Sequence, residues 1–163
     1  MPVLDLVSLY IEYHNATTRR VWDGLDALSD AQFVKDDTYS RGSIRNFMVH
    51  LASTDRRWLA GLRELPDVGH LKFEDYPTRA VAREVFETVA RDLAGYMSGL
   101  TENELARPAQ GMKEPRWQVL LHMANHGTDH RATVLEKMQE FGAPTFGQDF
   151  IFWLWERKKQ TPG

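Results

Sequence analysis

Residues 120–139 read LLHMANHGTDHRATVLEKMQ, and this stretch decides the fold. Its apolar residues Leu120, Leu121, Met123, Ala124, Val134, Leu135 and Met138 recur at helical rather than strand spacing. Within it His122, His126 and His130 stand four apart. Residues four apart on an α-helix are offset by about 40° and about 6 Å of rise, so the three imidazoles share one face. Pro115 suits the first turn of a helix, and Gly142 and Pro144 supply a stop. A long helix is therefore predicted from Pro115 or Arg116 to about Phe141.

Working outward, three more long amphipathic helices are predicted. The first runs from about Leu4 to Leu28, with Leu6, Leu9, Tyr13, Val21 and Leu25 on its stripe. The second starts at the N-cap Ser43 and runs to about Arg63, with His50 on its apolar side. The third runs from Thr78 to about Leu100. Ser29 to Gln32 and Thr101 to Glu104 have the pattern of capping boxes. A short aromatic segment, Phe146 to Arg157, reads as a further helical piece, and residues 158–163 as a polar tail. The expected architecture is all-α: one four-helix-bundle domain over residues 1–157, with a short C-terminal helical segment and almost no strand. The middle loops are long enough for a connection between non-adjacent helices.

The chain has 163 residues, enough to bury a substantial core without disulfides. It contains no cysteine, which removes thiol nucleophiles, cysteine-type zinc fingers and cysteine-ligated clusters. Lys plus Arg is 20 against 23 for Asp plus Glu, a net charge of -3, so no basic surface argues for nucleic acid or an anionic membrane. No stretch approaches 18 apolar residues, and the N-terminus lacks the pattern of a signal peptide. A cytoplasmic location is expected.

The histidines carry the chemistry. His122 and His130 are about 12 Å apart along a straight helix, too far for both to reach one ion through bonds of about 2.0–2.1 Å. The residues leave two pairs open, His122/His126 or His126/His130, with a third ligand from a facing helix. His50 is the best candidate and His14 the runner-up; His70 lies in a polar loop. Three neutral imidazoles leave coordination positions open for water or substrate, the pattern of a catalytic site. Imidazole ligation suits Zn, Ni, Cu or Fe. The zincin motif is absent, because Gly127 follows His126, and so are the paired Glu-x-x-His motifs of a di-iron bundle. Gly127 itself costs about 1 kcal/mol relative to Ala inside a helix. It is either a tolerated weak point or a place where a metal or another helix needs room. Asp55 and Asp129 are candidates to orient a ligand imidazole.

MANHGTDHRATV, the core His in SIRNFMVHLASTDRRWLAGL and the four long helices together resemble the DinB/YfiT-like superfamily, over nearly the whole chain. The resemblance implies a four-helix bundle with a mononuclear three-His metal site. Matched residue by residue, the ligands would be His50, His126 and His130, with His122 one turn away as a supporting or packing residue. Arg131 is followed by Ala132-Thr133 where members often carry Gly-Gln, and His14 stands near a place where many have Asn. Characterised relatives include enzymes that bind a low-molecular-weight thiol as thiolate on the metal. A divalent cation does lower the pKa of a bound thiol. In a chain without cysteine the thiol would come from a cofactor.

The functional expectation is a mononuclear metal-dependent enzyme, an S-transferase or hydrolase. One divalent ion, zinc or nickel foremost, would activate water or a low-molecular-weight thiol toward a small-molecule substrate. The alternative is a non-catalytic metal-binding stress-response or interaction protein. His14 is a candidate pocket residue. Arg19-Arg20 and Arg56-Arg57 read first as solvated helix faces and second as anion sites. Trp153 and Trp155 suggest core anchoring or a homodimer interface.

Overall fold

The computed structural model describes residues 2–37 and 40–160. Four long helices form the frame: α1 (Val3–Leu25), α3 (Ile44–Leu62), α4 (Arg79–Ser98) and α6 (Arg116–Glu140). Between them lie two short helices, α2 (Asp30–Val34) and α5 (Glu102–Leu105), and a 3-10 turn at Phe73–Asp75; α7 (Phe150–Gln160) closes the chain. Among the described residues there is no strand, only one isolated bridge between Pro108 and Pro115. No described helix is long and apolar enough to cross a membrane.

Helix starts follow local chemistry. Ser43 and Thr78 cap α3 and α4 by accepting the backbone N–H groups of Asn46 and Val81. Ser29 with Gln32 and Thr101 with Glu104 form reciprocal capping boxes. The first helix ends at Leu25 rather than Leu28, because tight turns (Ala27 N–H to Gly24, Leu28 N–H to Leu25) lead straight into the Ser29 cap. The last helix starts at Phe150 rather than Phe146; the residues before it are not helical, and Gln148 bonds Arg131 and the Thr128 carbonyl of α6. It also continues through residues 158–160, where the sequence predicts a polar tail; 161–163 lie outside the described residues.

The core has two apolar clusters. One holds Trp22, Phe33, Phe47, Met48, Phe86, Val134 and Met138; the other holds Val7, Ile11, Leu59, Leu62, Leu93, Leu120 and Met123. The order in which each helix enters them gives its direction. Helices α1 and α6 run from the second cluster to the first, while α3 and α4 run from the first to the second. The bundle is therefore up-down-down-up, with α1 packed chiefly on α6, and α3 on both α4 and α6. Since α3 and α4 point the same way, the connection between them must return along the bundle. A 20-residue helix such as α4 is about 30 Å long, so this demands a long loop. It lies along α3, where Arg57 binds Asp67 and Ser53 Oγ accepts the N–H of Leu71.

Between the clusters the bundle carries a polar layer: His14 and Thr18 on α1, His50 and Asp55 on α3, His126, His130 and Arg131 on α6. Polar groups removed from water must be paired or serve a ligand. This layer is where the functional chemistry sits.

Candidate metal centre

His126 and His130 are one turn apart on α6, and His50 faces them from α3. Their ring nitrogens converge: all three candidate ligand atoms lie within 4.8 Å of one another. The Nε2 atom of His126 is 3.3 Å from that of His50 and 2.9 Å from that of His130. Two imidazole nitrogens bound to one ion at about 2.0–2.1 Å, with angles of about 90–110°, must lie about 2.8–3.4 Å apart. Both separations meet that requirement. Hydrogen bonding satisfies them less well. A ring nitrogen offers one proton or one lone pair, so Nε2 of His126 can complete a bond to one neighbour but not to both. The donor set therefore fits a single metal ion bound by three nitrogens.

The electrostatics agree with neutral imidazoles. Burial, then the Arg41 charge and the other ring nitrogens, push His50 down to about 3. Burial and then His130 push His126 down to about 4. Burial and Arg41 also lower His130. Neutral imidazole is the form that ligates metal. A pH dependence follows for the metal-free protein. Above about pH 6.5 these rings are neutral in both folded and unfolded chains. Between about 6.5 and the depressed folded values, the unfolded chain binds protons that the folded chain refuses, so stability falls as pH falls. Urea midpoints of chelator-treated protein should decline from pH 7 to pH 4, and less steeply in a His50→Asn variant. Equal slopes would contradict the assignment.

The other candidates lie elsewhere. His70 contacts Arg57 Nη1 at 2.6 Å, on the outer face of α3. His122 is exposed, stacks edge-on against Trp58 at 5.2 Å between centroids, and is not part of the converging group. With His126, Thr54, Trp58, Leu65 and Met112 it lines a cavity of about 580 Å³, which leads from the His cluster toward solvent. Neither proposed carboxylate bonds a cluster imidazole. Asp129 is 3.7 Å from His130 Nδ1, too far for a hydrogen bond, and 80% exposed. Asp55 Oδ2 is taken by His14, and the His126 Nδ1 atom is buried without a partner.

His14 belongs to a second buried assembly that sequence reasoning missed. Its Nδ1 accepts from Arg131 Nη1 at 3.1 Å, since a guanidinium can only donate. Its Nε2 must then carry the proton, which it donates to Asp55 Oδ2 at 2.9 Å. Arg131 is 0% exposed and also donates to Thr18 Oγ1, Thr128 Oγ1 and Gln148 Oε1. The chain Asp55–His14–Arg131 thus ties α3, α1 and α6 together beside the His cluster. It explains Gly127: a Cβ there would lie 2.3 Å from His14 Cε1 and 2.8 Å from Arg131 Nη1. The close approach belongs to α1, not to the cluster. A glycine four residues before an arginine on a core helix was the available signal. The paired basic residues are mostly in ion pairs, Arg19 with Glu87, Arg20 with Glu156 and Arg57 with Asp67, as solvated faces require.

Fold and site together define an all-α bundle whose central polar layer carries a three-imidazole group able to hold one metal ion. The DinB family model matches residues 1–161, and the chain belongs to the DinB family. No relative among curated proteins matches it.

Proposed function

We propose that this protein is a mononuclear metal-dependent enzyme of the S-transferase or hydrolase type. The convergence of three neutral imidazole nitrogens, at spacings that suit one ion and beside a cavity, carries this reading. His50, His126 and His130 would hold the ion, with zinc and nickel the first candidates. When bound, a divalent ion supplies Lewis acidity, lowering the pKa of a water or thiol at an open position.

The residues around it account for binding and orientation. Trp58, Leu65 and Met112 give the cavity an apolar wall that excludes water from a substrate lying against His126. His122 stands at the cavity wall beside Trp58, where it can bond a polar atom of the substrate. A thiol would be a small-molecule cofactor, because the chain contains no cysteine.

The test is turnover of a panel of electrophiles and activated esters by zinc- and nickel-loaded protein, with and without added low-molecular-weight thiols. Turnover that needs both metal and thiol supports transfer, and metal-dependent turnover without thiol supports hydrolysis. Full metal loading with no turnover under either condition would reject catalysis in favour of a non-catalytic metal-binding protein.

A further inference from the structure

The cavity beside His126 has a direction. On α3 its wall is Thr54, Trp58 and Gly61, which follow His50 at steps of three and four and so share one helix face; Leu65 continues the wall just past the helix end. On α6 the wall is His126 and then His122, one turn back toward the start of that helix. Helices α3 and α6 are antiparallel, so both stripes lead away from the imidazole cluster the same way. Gly61 lies 11 residues beyond His50, about 16 Å along the axis. There Met112 crosses the stripe: a Cβ on Gly61 would run into its Cε atom.

Met112 is held at that end. Its side chain packs against the second apolar cluster, and its N–H donates to the Ala109 carbonyl at 3.0 Å. The same loop is tied to Glu64, which sits at φ 59° in the left-handed turn that ends α3. Glu64 Oε1 accepts from the Gln110 N–H at 3.0 Å and from Arg116 Nη2 at 2.9 Å.

The polar members of the wall are already engaged. The Thr54 hydroxyl donates to the His50 carbonyl at 2.7 Å. Arg57 donates to both carboxylate oxygens of Asp67, at 3.1 and 3.2 Å, and turns Nη1 to His70. The two charges on the lining therefore cancel, and a ligand meets no uncompensated charge there. It meets apolar surface instead. Trp58 and Leu65 are 36% and 54% exposed, large side chains left in water beside one another on a concave wall. Apolar surface gathered in a cleft is what a bound molecule covers.

We propose that the molecule bound at the metal carries an uncharged apolar arm, which lies along Trp58 and Leu65 and whose length Met112 sets. This rests on the metal-centre reading above and specifies the class of molecule it admits.

The experiment titrates cobalt-loaded protein with straight-chain hydroxamates, from acetohydroxamate through butyro-, hexano- and octanohydroxamate to decanohydroxamate, following the cobalt absorption. All carry one metal-binding group and differ only in the arm. Affinity relative to acetohydroxamate should rise about threefold per added methylene and then level off. Trp58→Ala and Leu65→Ser should each cut the rise to below about twofold per methylene. Leu65 is more than half exposed, so Leu65→Ser keeps the fold. Met112→Ala should carry the rise on to longer arms. Suberic monohydroxamate, which ends the octanohydroxamate arm in a carboxylate, should bind at least about tenfold less tightly than octanohydroxamate, because no free cation meets it. A merely structural role for these side chains would weaken every hydroxamate alike, and ratios unchanged in both Trp58→Ala and Leu65→Ser overturn the inference. So does loaded protein that binds no hydroxamate, shows no rise or no plateau, keeps its plateau in Met112→Ala, or takes the carboxylated arm as tightly as the neutral one. Each of these outcomes leaves the metal reading standing. Wild-type protein that takes up neither zinc nor cobalt overturns the metal reading and this inference together.

Discussion

Replacing His126 by alanine should abolish stoichiometric metal binding while leaving the bundle folded. Both short nitrogen–nitrogen separations in the cluster run through His126, at 2.9 and 3.3 Å. Without it, His50 and His130 remain on different helices with no third donor between them. Loss of a hydrogen bond that merely supports a ligand costs about 10–100-fold in metal affinity, so loss of the central ligand should exceed about 100-fold. The fold should tolerate the change. His126 is only partly buried, its Nδ1 has no partner to lose, and alanine is the best helix former. Elemental analysis and metal titration check the first part, and thermal unfolding of metal-free protein checks the second. His122→Ala is the matched comparison. It lies one turn away on the same helix face but outside the converging group, so metal should be retained. Equal metal content in the His126→Ala and His122→Ala variants would contradict the site as described.

Arg131→Met should be the most destabilising single change outside the apolar clusters, at about 3–5 kcal/mol. The side chain is 0% exposed and bonds His14, Thr18, Thr128 and Gln148. Methionine fills much of the volume but leaves Asp55, 5% exposed, as a buried carboxylate facing only His14. An uncompensated buried charge is the expensive outcome, more than the lost hydrogen bonds themselves. Pairing Arg131→Met with Asp55→Asn removes both charges, so the double variant should lose less than the sum of the single losses. Urea unfolding of the four proteins measures this. A loss within about 1 kcal/mol for Arg131→Met, or strict additivity, would mean that the two charges do not depend on each other.

Much of this molecule was legible in one sequence. Three- and four-residue spacing of apolar residues located the four long helices, and Ser29, Ser43, Thr78 and Thr101 marked starts, because capping is a local reaction between a hydroxyl and nearby N–H groups. The i,i+4 spacing of His122, His126 and His130 likewise showed that neighbouring imidazoles could converge. The pair was left open by the residues alone, and only the family resemblance favoured His126 with His130.

The tertiary structure decided what depends on neighbours. Periodicity shows which face of a helix is buried but not what lies against it. The parallel placement of α1 beside α6, the meeting of His50 with His126 and His130, and the contact of His14 with Gly127 therefore lay beyond spacing. Charged residues misled for a related reason. In sequence an arginine reads as solvated, because burying a cation without partners costs so much. Arg131 is buried because two other segments, α1 with His14 and Thr18 and the stretch before α7 with Gln148, supply its partners. Asp55 read as a support for a metal ligand, but its Oδ2 accepts from His14, which Arg131 holds from the other side. Local chemistry thus determined the helices and the candidate ligands, while the sharing of buried charge between distant segments, which only packing can arrange, determined how the polar layer is wired.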